Sequence, residues 1–236
     1  MPHAPTHPSP QPGVAVFQHA PRRYDAWFDS PPGRHLFHAE VRALRLLTPG
    51  LPRPWLEVGA GTGRFAHALD MDVGADPAAA ALRLARGRRL PVAQALGQAL
   101  PFPDSRFGAV FLIATLCFAD DPAALLREAR RVTAPAGGVI LAVVPADTPW
   151  GKRYAAHGRA GHFFYAHARF FHLHEIHRLA LAAGLRFHRA VSTLFRPPDA
   201  PGRRLETPKR GLHPAAGFVA LRYRPAGPTR PENRRT

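Results

Sequence analysis

Apolar residues recur along this chain in two rhythms, and the alternation between them predicts an α/β architecture. Phe37, Val41, Leu44 and Leu47 fall on one face at helical spacing, which predicts a helix over 34–47. Pro49, Pro52 and Pro54 end it. Trp55–Val58 reads as a short strand running into a glycine-rich turn, then a helix carrying Phe65, Ala66 and Leu69. A second strand is expected at Val73–Ala75, and Pro77 opens a helix to about Arg86, since proline suits a first helical turn. A weaker strand follows near 90–94. Ala109–Ile113 is apolar throughout, as in the middle of a parallel sheet. Asp121-Pro122 starts a helix with the buried stripe Leu125, Leu126, Ala129 and Val132, and Val139–Val144 is another buried strand. Residues 145–171 are aromatic and irregular. A helix over about 173–183 is closed by Gly184, and two strands near 185–191 and 217–223 complete the pattern. Seven strands alternating with helices predict a mostly parallel sheet with helices on both faces.

Composition narrows this picture. The 236 residues suit one domain with tails: residues 1–20, rich in proline and histidine, read as a disordered tail, 21–224 as the domain, and 225–236 as a basic disordered tail. The single cysteine, Cys117, excludes an intrachain disulfide and reads as a small buried hydrophobe. No secretory signal and no run of about 18 apolar residues is visible, so a cytoplasmic protein without a membrane span is expected. The net charge of +16 raises nucleic acid as a partner. The positive charge is nearly all arginine and dispersed, however, and Ala, Arg, Pro and Gly are abundant together. Compositional bias is therefore favoured over a polyanion footprint.

The chemistry concentrates in Leu56-Glu57-Val58-Gly59-Ala60-Gly61-Thr62-Gly63. A strand, a glycine turn and a helix in this order bring backbone close to a ligand and aim helix N-terminal amides at it. A nucleotide-like cofactor at the carboxyl ends of parallel strands is implied. The dinucleotide pattern G-x-G-x-x-G is not met, because Arg64 stands where its third glycine belongs. Asp76, at the end of the second strand, offers two oxygens to ribose hydroxyls; the alternative is a helix N-cap.

From about Tyr24 to Val191 the sequence resembles class I S-adenosylmethionine-dependent methyltransferases of the type 11 group. The resemblance is carried by Tyr24-Asp25-Ala26-Trp27-Phe28, the 56–63 motif, Val73-Gly74-Ala75-Asp76-Pro77 and Leu100-Pro101-Phe102-Pro103-Asp104. It continues in Thr115-Leu116-Cys117-Phe118 with Asp121-Pro122, in Glu128-Ala129-Arg130-Arg131-Val132, and in Pro149-Trp150-Gly151. It implies a Rossmann-like seven-stranded sheet with the last strand antiparallel, and S-adenosylmethionine as cofactor. It places Gly59, Ala60, Gly61 and Gly63 at the methionine end with Glu57 supporting the loop, and Tyr24 near the amino-acid end. Asp76, with Pro77 beside it, goes to the ribose, Gly97 and Gln98 to the adenine, and Thr115 beneath the sulfonium. Leu96 departs from the pattern, since many relatives have an aspartate there to accept from adenine. Gln98 stands where a glutamate is common, Gly108 where an aspartate is common, and Ala136 interrupts a usual Pro-Gly-Gly.

Methyl transfer asks an enzyme mainly to position a nucleophile and exclude water. The 145–171 segment is a candidate substrate lid, with Trp150 and Tyr154 as substrate-facing residues; Trp27, Phe28 and Phe118 are candidates for the facing walls. His162 is a weak candidate base. The other histidines of 157–177 lack a ligand constellation, so no metal site is expected. The leading expectation is a methyltransferase acting on a small molecule. An RNA or protein methyltransferase and a non-catalytic cofactor-binding protein are the alternatives.

Overall fold

The computed structural model describes residues 12–200 and 205–227. Its centre is one sheet in the order β3-β2-β1-β4-β5-β8-β6-β7. The strands are β1 (Trp55–Val58), β2 (Val73–Asp76), β3 (Val92–Gln94), β4 (Phe107–Ile113), β5 (Thr133–Val143), β6 (Leu185–Thr193), β7 (Lys209–Arg210) and β8 (Phe218–Pro225). The neighbours from β3 through β5 pair in parallel, while β8 runs antiparallel between β5 and β6. All seven expected strands are present, and the two-residue β7 adds an eighth at the edge beside β6.

Alternation along the strands assigns the two faces. Val110 and Leu112 of β4, with Val139 and Leu141 of β5, pack under α6 (Pro122–Val132) and α8 (Leu173–Ala182). Ala109, Phe111 and Ile113, with Ile140 and Ala142, face Leu36 and Leu44 of α3 (Pro31–Arg45), Leu47 just after it and Phe65 of α4 (Arg64–Ala68). Leu125, Leu126, Ala129 and Val132 are the buried stripe of α6, and the Asp121 side chain caps that helix by accepting from the Ala124 amide at 2.8 Å. The helix expected from Pro77 begins later, as α5 (Ala79–Gly87).

Two segments differ from expectation. Part of the presumed N-terminal tail is α1 (Pro12–His19), followed by α2 (Pro21–Trp27). Val16 is buried and Gln18 accepts from the Ala80 amide of α5 at 3.0 Å. The run Val14-Ala15-Val16-Phe17 supplies the apolar surface that a polar tail lacks. Residues 1–11 and 228–236, which complete the two presumed tails, lie outside the described residues. In the 145–171 segment, expected to be irregular, α7 (Pro149–Arg159) forms because the Thr148 hydroxyl accepts from the Gly151 amide at 3.1 Å. Among the described residues, no helix is long and apolar enough to cross a membrane.

Candidate cofactor and acceptor site

The sheet reverses its winding between β1 and β4, and a crevice of about 880 Å³, its open mouth included, lies at their carboxyl ends. Its floor is the turn after β1. Gly61 has φ +52, and a Cβ added there would meet nothing within 4 Å, so the backbone faces open cavity. Gly63 differs: its φ is +77, it caps α4, and an added Cβ would lie 2.9 Å from that of Ala85. Gly63 thus serves the packing of α4 on α5 and does not line the crevice. Gly59 lines it, but its missing Cβ also makes room for Thr115, whose methyl carbon would lie at 2.4 Å.

Carboxylates organise this turn. Asp76 accepts from the Gly61 amide (Oδ2, 2.8 Å) and from the Ala78 amide (Oδ1, 2.8 Å). It therefore braces the glycine turn and the entry to α5, while Ala78 is the N-cap itself. Burial raises the Asp76 carboxyl, opposed by those two amides. Burial also pushes the Glu57 carboxyl well above the usual range; the Ala66 amide opposes this and nearby Asp76 adds to it. Glu57 Oε2 is buried without a partner and belongs to the crevice lining. The Thr115 hydroxyl donates to the Val58 carbonyl at 2.9 Å, tying β4 to β1 beneath the crevice.

Above the turn lie α1 and α2, with Gly13, Val14, Phe17, Tyr24 and Phe28 on the lining. Phe17 packs edge-on against Tyr24 and Phe118 at 5.2 and 5.0 Å between ring centroids. Asp25 tethers α2. It accepts from Thr62 Oγ1 (2.7 Å), Arg64 Nε (2.8 Å) and Arg88 Nη2 (2.9 Å). Burial opposes its ionisation, but the bonds from Arg64, Thr62 and Arg88 prevail and hold its carboxyl below the ordinary value.

The crevice gathers Tyr24, Glu57, Gly59, Ala60, Gly61, Asp76, Pro77, Gly97, Gln98 and Thr115, with Phe28 and Phe118 from the expected substrate walls. Leu96 is there too, without an acceptor atom. Trp27 is exposed and off the lining. Trp150 is buried core: its Nε1 donates to the Arg196 carbonyl at 2.8 Å and its ring covers Gly217. Tyr154 and His162 also stand off the lining. Tyr154 stacks on Tyr165 at 4.5 Å, and exposed His162 stacks on the same ring at 4.5 Å, its pKa lowered by burial and then by His157 and Arg23. Phe17, Thr62, Arg64 and the Asp25 tether were not singled out as site residues in the sequence; ion pairs 39 and 63 positions apart leave no periodic trace. Among the described residues, no group of three or more His, Cys, Asp or Glu could hold a metal ion.

A glycine turn at the winding switch, a buried acidic residue before it and a second at the end of β2 define a nucleotide-type cofactor site. Residues 56–141 match the family model described as a methyltransferase domain. The chain is 43% identical over 198 residues to an uncharacterized protein of Mycobacterium tuberculosis, covering 84% of this chain and 70% of that one. It is 31% identical over 206 residues to an uncharacterized protein of Methanocaldococcus jannaschii, covering 87% of this chain and 97% of that one. Among solved structures, a SAM-dependent methyltransferase of Thermotoga maritima, described as a possible histamine N-methyltransferase, superposes with a TM-score of 0.82 at 30% identity, covering 90% of this chain and 99% of that one. The chain belongs to the S-adenosylmethionine-dependent methyltransferases of the type 11 methyltransferase-domain family.

Proposed function

We propose that the protein methylates a small molecule held under the aromatic roof of the crevice. The observation that carries this reading is the roof itself: Phe17, Tyr24, Phe28 and Phe118 line the space beside the glycine turn. The arginines nearest the turn do not offer a phosphate track, because Arg64 and Arg88 are paired with Asp25, and Arg64 also with Asp29. The Thermotoga neighbour, described as a possible histamine N-methyltransferase, favours the same kind of acceptor.

The residues present fit the cofactor. The unpartnered Glu57 oxygen suits the ammonium of its amino-acid end, and the open face at Gly61 admits its backbone close to the turn. Each Asp76 oxygen holds one amide and keeps a lone pair for a ribose hydroxyl. Leu96, Gly97, Gln98 and Leu125 form the wall for the adenine. When bound, S-adenosylmethionine supplies an electrophilic methyl carbon on a sulfonium. The chain's own part is to hold α2 in place through Asp25, to exclude water with the aromatic roof and to position the acceptor.

The test is to incubate the protein with methyl-labelled S-adenosylmethionine and, separately, a small-molecule extract, bulk tRNA and a protein extract. Label is expected in the small-molecule fraction. Label in tRNA or protein alone would contradict the small-molecule reading.

A further inference from the structure

The arginines are dispersed along the sequence, but four of them converge where β6 meets β8. Arg189 lies directly across from Arg222, and Arg186 directly across from Arg224. Positions 186 and 189 are three apart and would point to opposite faces of a regular strand. The register shift between Phe187 and Arg189, a bulge that inserts His188, brings both to one face. The residues of β8 identify that face. Arg222 Nη1 donates to the carbonyls of Leu47 and Pro49, just beyond α3, at 3.1 and 3.0 Å. Tyr223, between Arg222 and Arg224, turns to the other side, its hydroxyl 2.7 Å from His177 Nδ1 of α8. The four side chains therefore start from a grid about 5 Å across the strands and about 7 Å along them. Val219, near the start of β8, lies across from Val143 at the carboxyl end of β5, and β8 runs away from it. The grid thus stands toward the opposite end of the sheet from the cofactor crevice.

No carboxylate among the described residues neutralises this grid. The two carbonyl bonds of Arg222 are the only hydrogen bonds or ion pairs that the four side chains make there. The Nε atoms of Arg189 and Arg222 are buried without a partner. Like charges directly opposite each other on paired strands destabilise a sheet, and here two such pairs adjoin. Burial, then Arg189 and Arg224, lowers Arg222 to about 10, so it stays cationic at pH 7. We propose that Arg186, Arg189 and Arg224, backed by Arg222, bind a compact oxyanion of two or more negative charges, of the phosphate or diphosphate type. The exposed Arg186 and Arg224 and the half-buried Arg189 make the contacts, while buried Arg222 adds charge from beneath. Planar guanidinium forks match the oxygens of a phosphate. A grid this small takes one compact group, whereas a nucleic-acid strand is held by many phosphate contacts in line. The site is independent of the methyl-transfer reading.

The test is calorimetry on the full chain at fixed ionic strength in sodium chloride. The probes are pyrophosphate, inorganic phosphate and a single-stranded oligonucleotide, each with and without S-adenosylhomocysteine. One pyrophosphate is expected to bind per chain, phosphate more weakly and the oligonucleotide no tighter than phosphate, alike in both conditions. Arg189→Gln and Arg224→Gln should each lower pyrophosphate affinity about tenfold or more and leave S-adenosylhomocysteine affinity within about twofold. Arg224→Gln should melt no lower than wild type in chloride, since it relieves a repulsion, and should gain less from added pyrophosphate. Arg127→Gln removes an exposed charge from α6, on the other face of the sheet, and should bind pyrophosphate like wild type. No saturable binding of either anion, displacement of pyrophosphate by S-adenosylhomocysteine, or an oligonucleotide binding tighter than pyrophosphate would each overturn the proposal. So would undiminished binding by folded Arg189→Gln and Arg224→Gln variants, or an equal loss in Arg127→Gln.

Discussion

At the scale of single residues, Asp76 and Glu40 carry the sharpest consequences. Asparagine at 76 would present one acceptor oxygen where Gly61 and Ala78 each need one. One buried amide would lose its acceptor, costing about 1–3 kcal/mol. Asp76→Asn should therefore lower both the melting temperature and the affinity for S-adenosylhomocysteine, the latter tenfold or more. A variant matching wild type in both would contradict the bracing role. Glu40 predicts a pH effect. Its folded-state value of about 8 lies above the ordinary 4.5, so the native protein binds more protons than the unfolded chain between these values. Stability should fall as pH rises from about 4.5 to 8 and level off above that. Glu57 and Asp76, also raised by burial, act in the same sense. Glu40→Gln should flatten part of the decline in urea midpoints between pH 5 and 8.5, and parallel curves for variant and wild type would count against a Glu40 carboxyl raised by burial. The sequence marks Asp76 as important by its place after β2, but not the two amides it holds. Nothing in periodicity distinguishes Glu40 from a solvated helix residue.

At the scale of elements, legibility followed the strength of the local signal. The stripe of α6 and its Asp121 cap appear as read, because both are written within one helix. The helix α1 was hidden by a composition that averages proline and histidine over twenty residues and dilutes four consecutive apolar or small ones. Truncation therefore removes packed structure. Deleting residues 1–20 removes Val16, whose full burial contributes about 1.5–3 kcal/mol, and opens the roof at Phe17. The melting temperature should fall by several degrees, at about 2–4 °C per kcal/mol for a chain of this size. Affinity for S-adenosylhomocysteine should fall as well. Unchanged values in both measurements would show that α1 covers nothing of importance. Trp150 illustrates the opposite error: an aromatic residue in a presumed lid is core because Gly217 leaves room for its ring.

At the scale of the whole molecule, the +16 charge gives the least guidance to function. Arg53, Arg64, Arg88, Arg131, Arg153 and Arg169 are engaged with carboxylates of the chain itself. The architecture instead directs attention to one crevice at the winding switch between β1 and β4. The central claim is that this crevice takes S-adenosylmethionine, and titration calorimetry with S-adenosylhomocysteine tests it most directly. The wild-type protein should bind in the micromolar range, worth about −8 kcal/mol, and should not bind NAD. Gly61→Val should abolish binding, since a side chain would enter the space the ligand needs and strain a backbone at φ +52. Binding of NAD in place of S-adenosylhomocysteine, or undiminished binding by a folded Gly61→Val variant, would contradict the account.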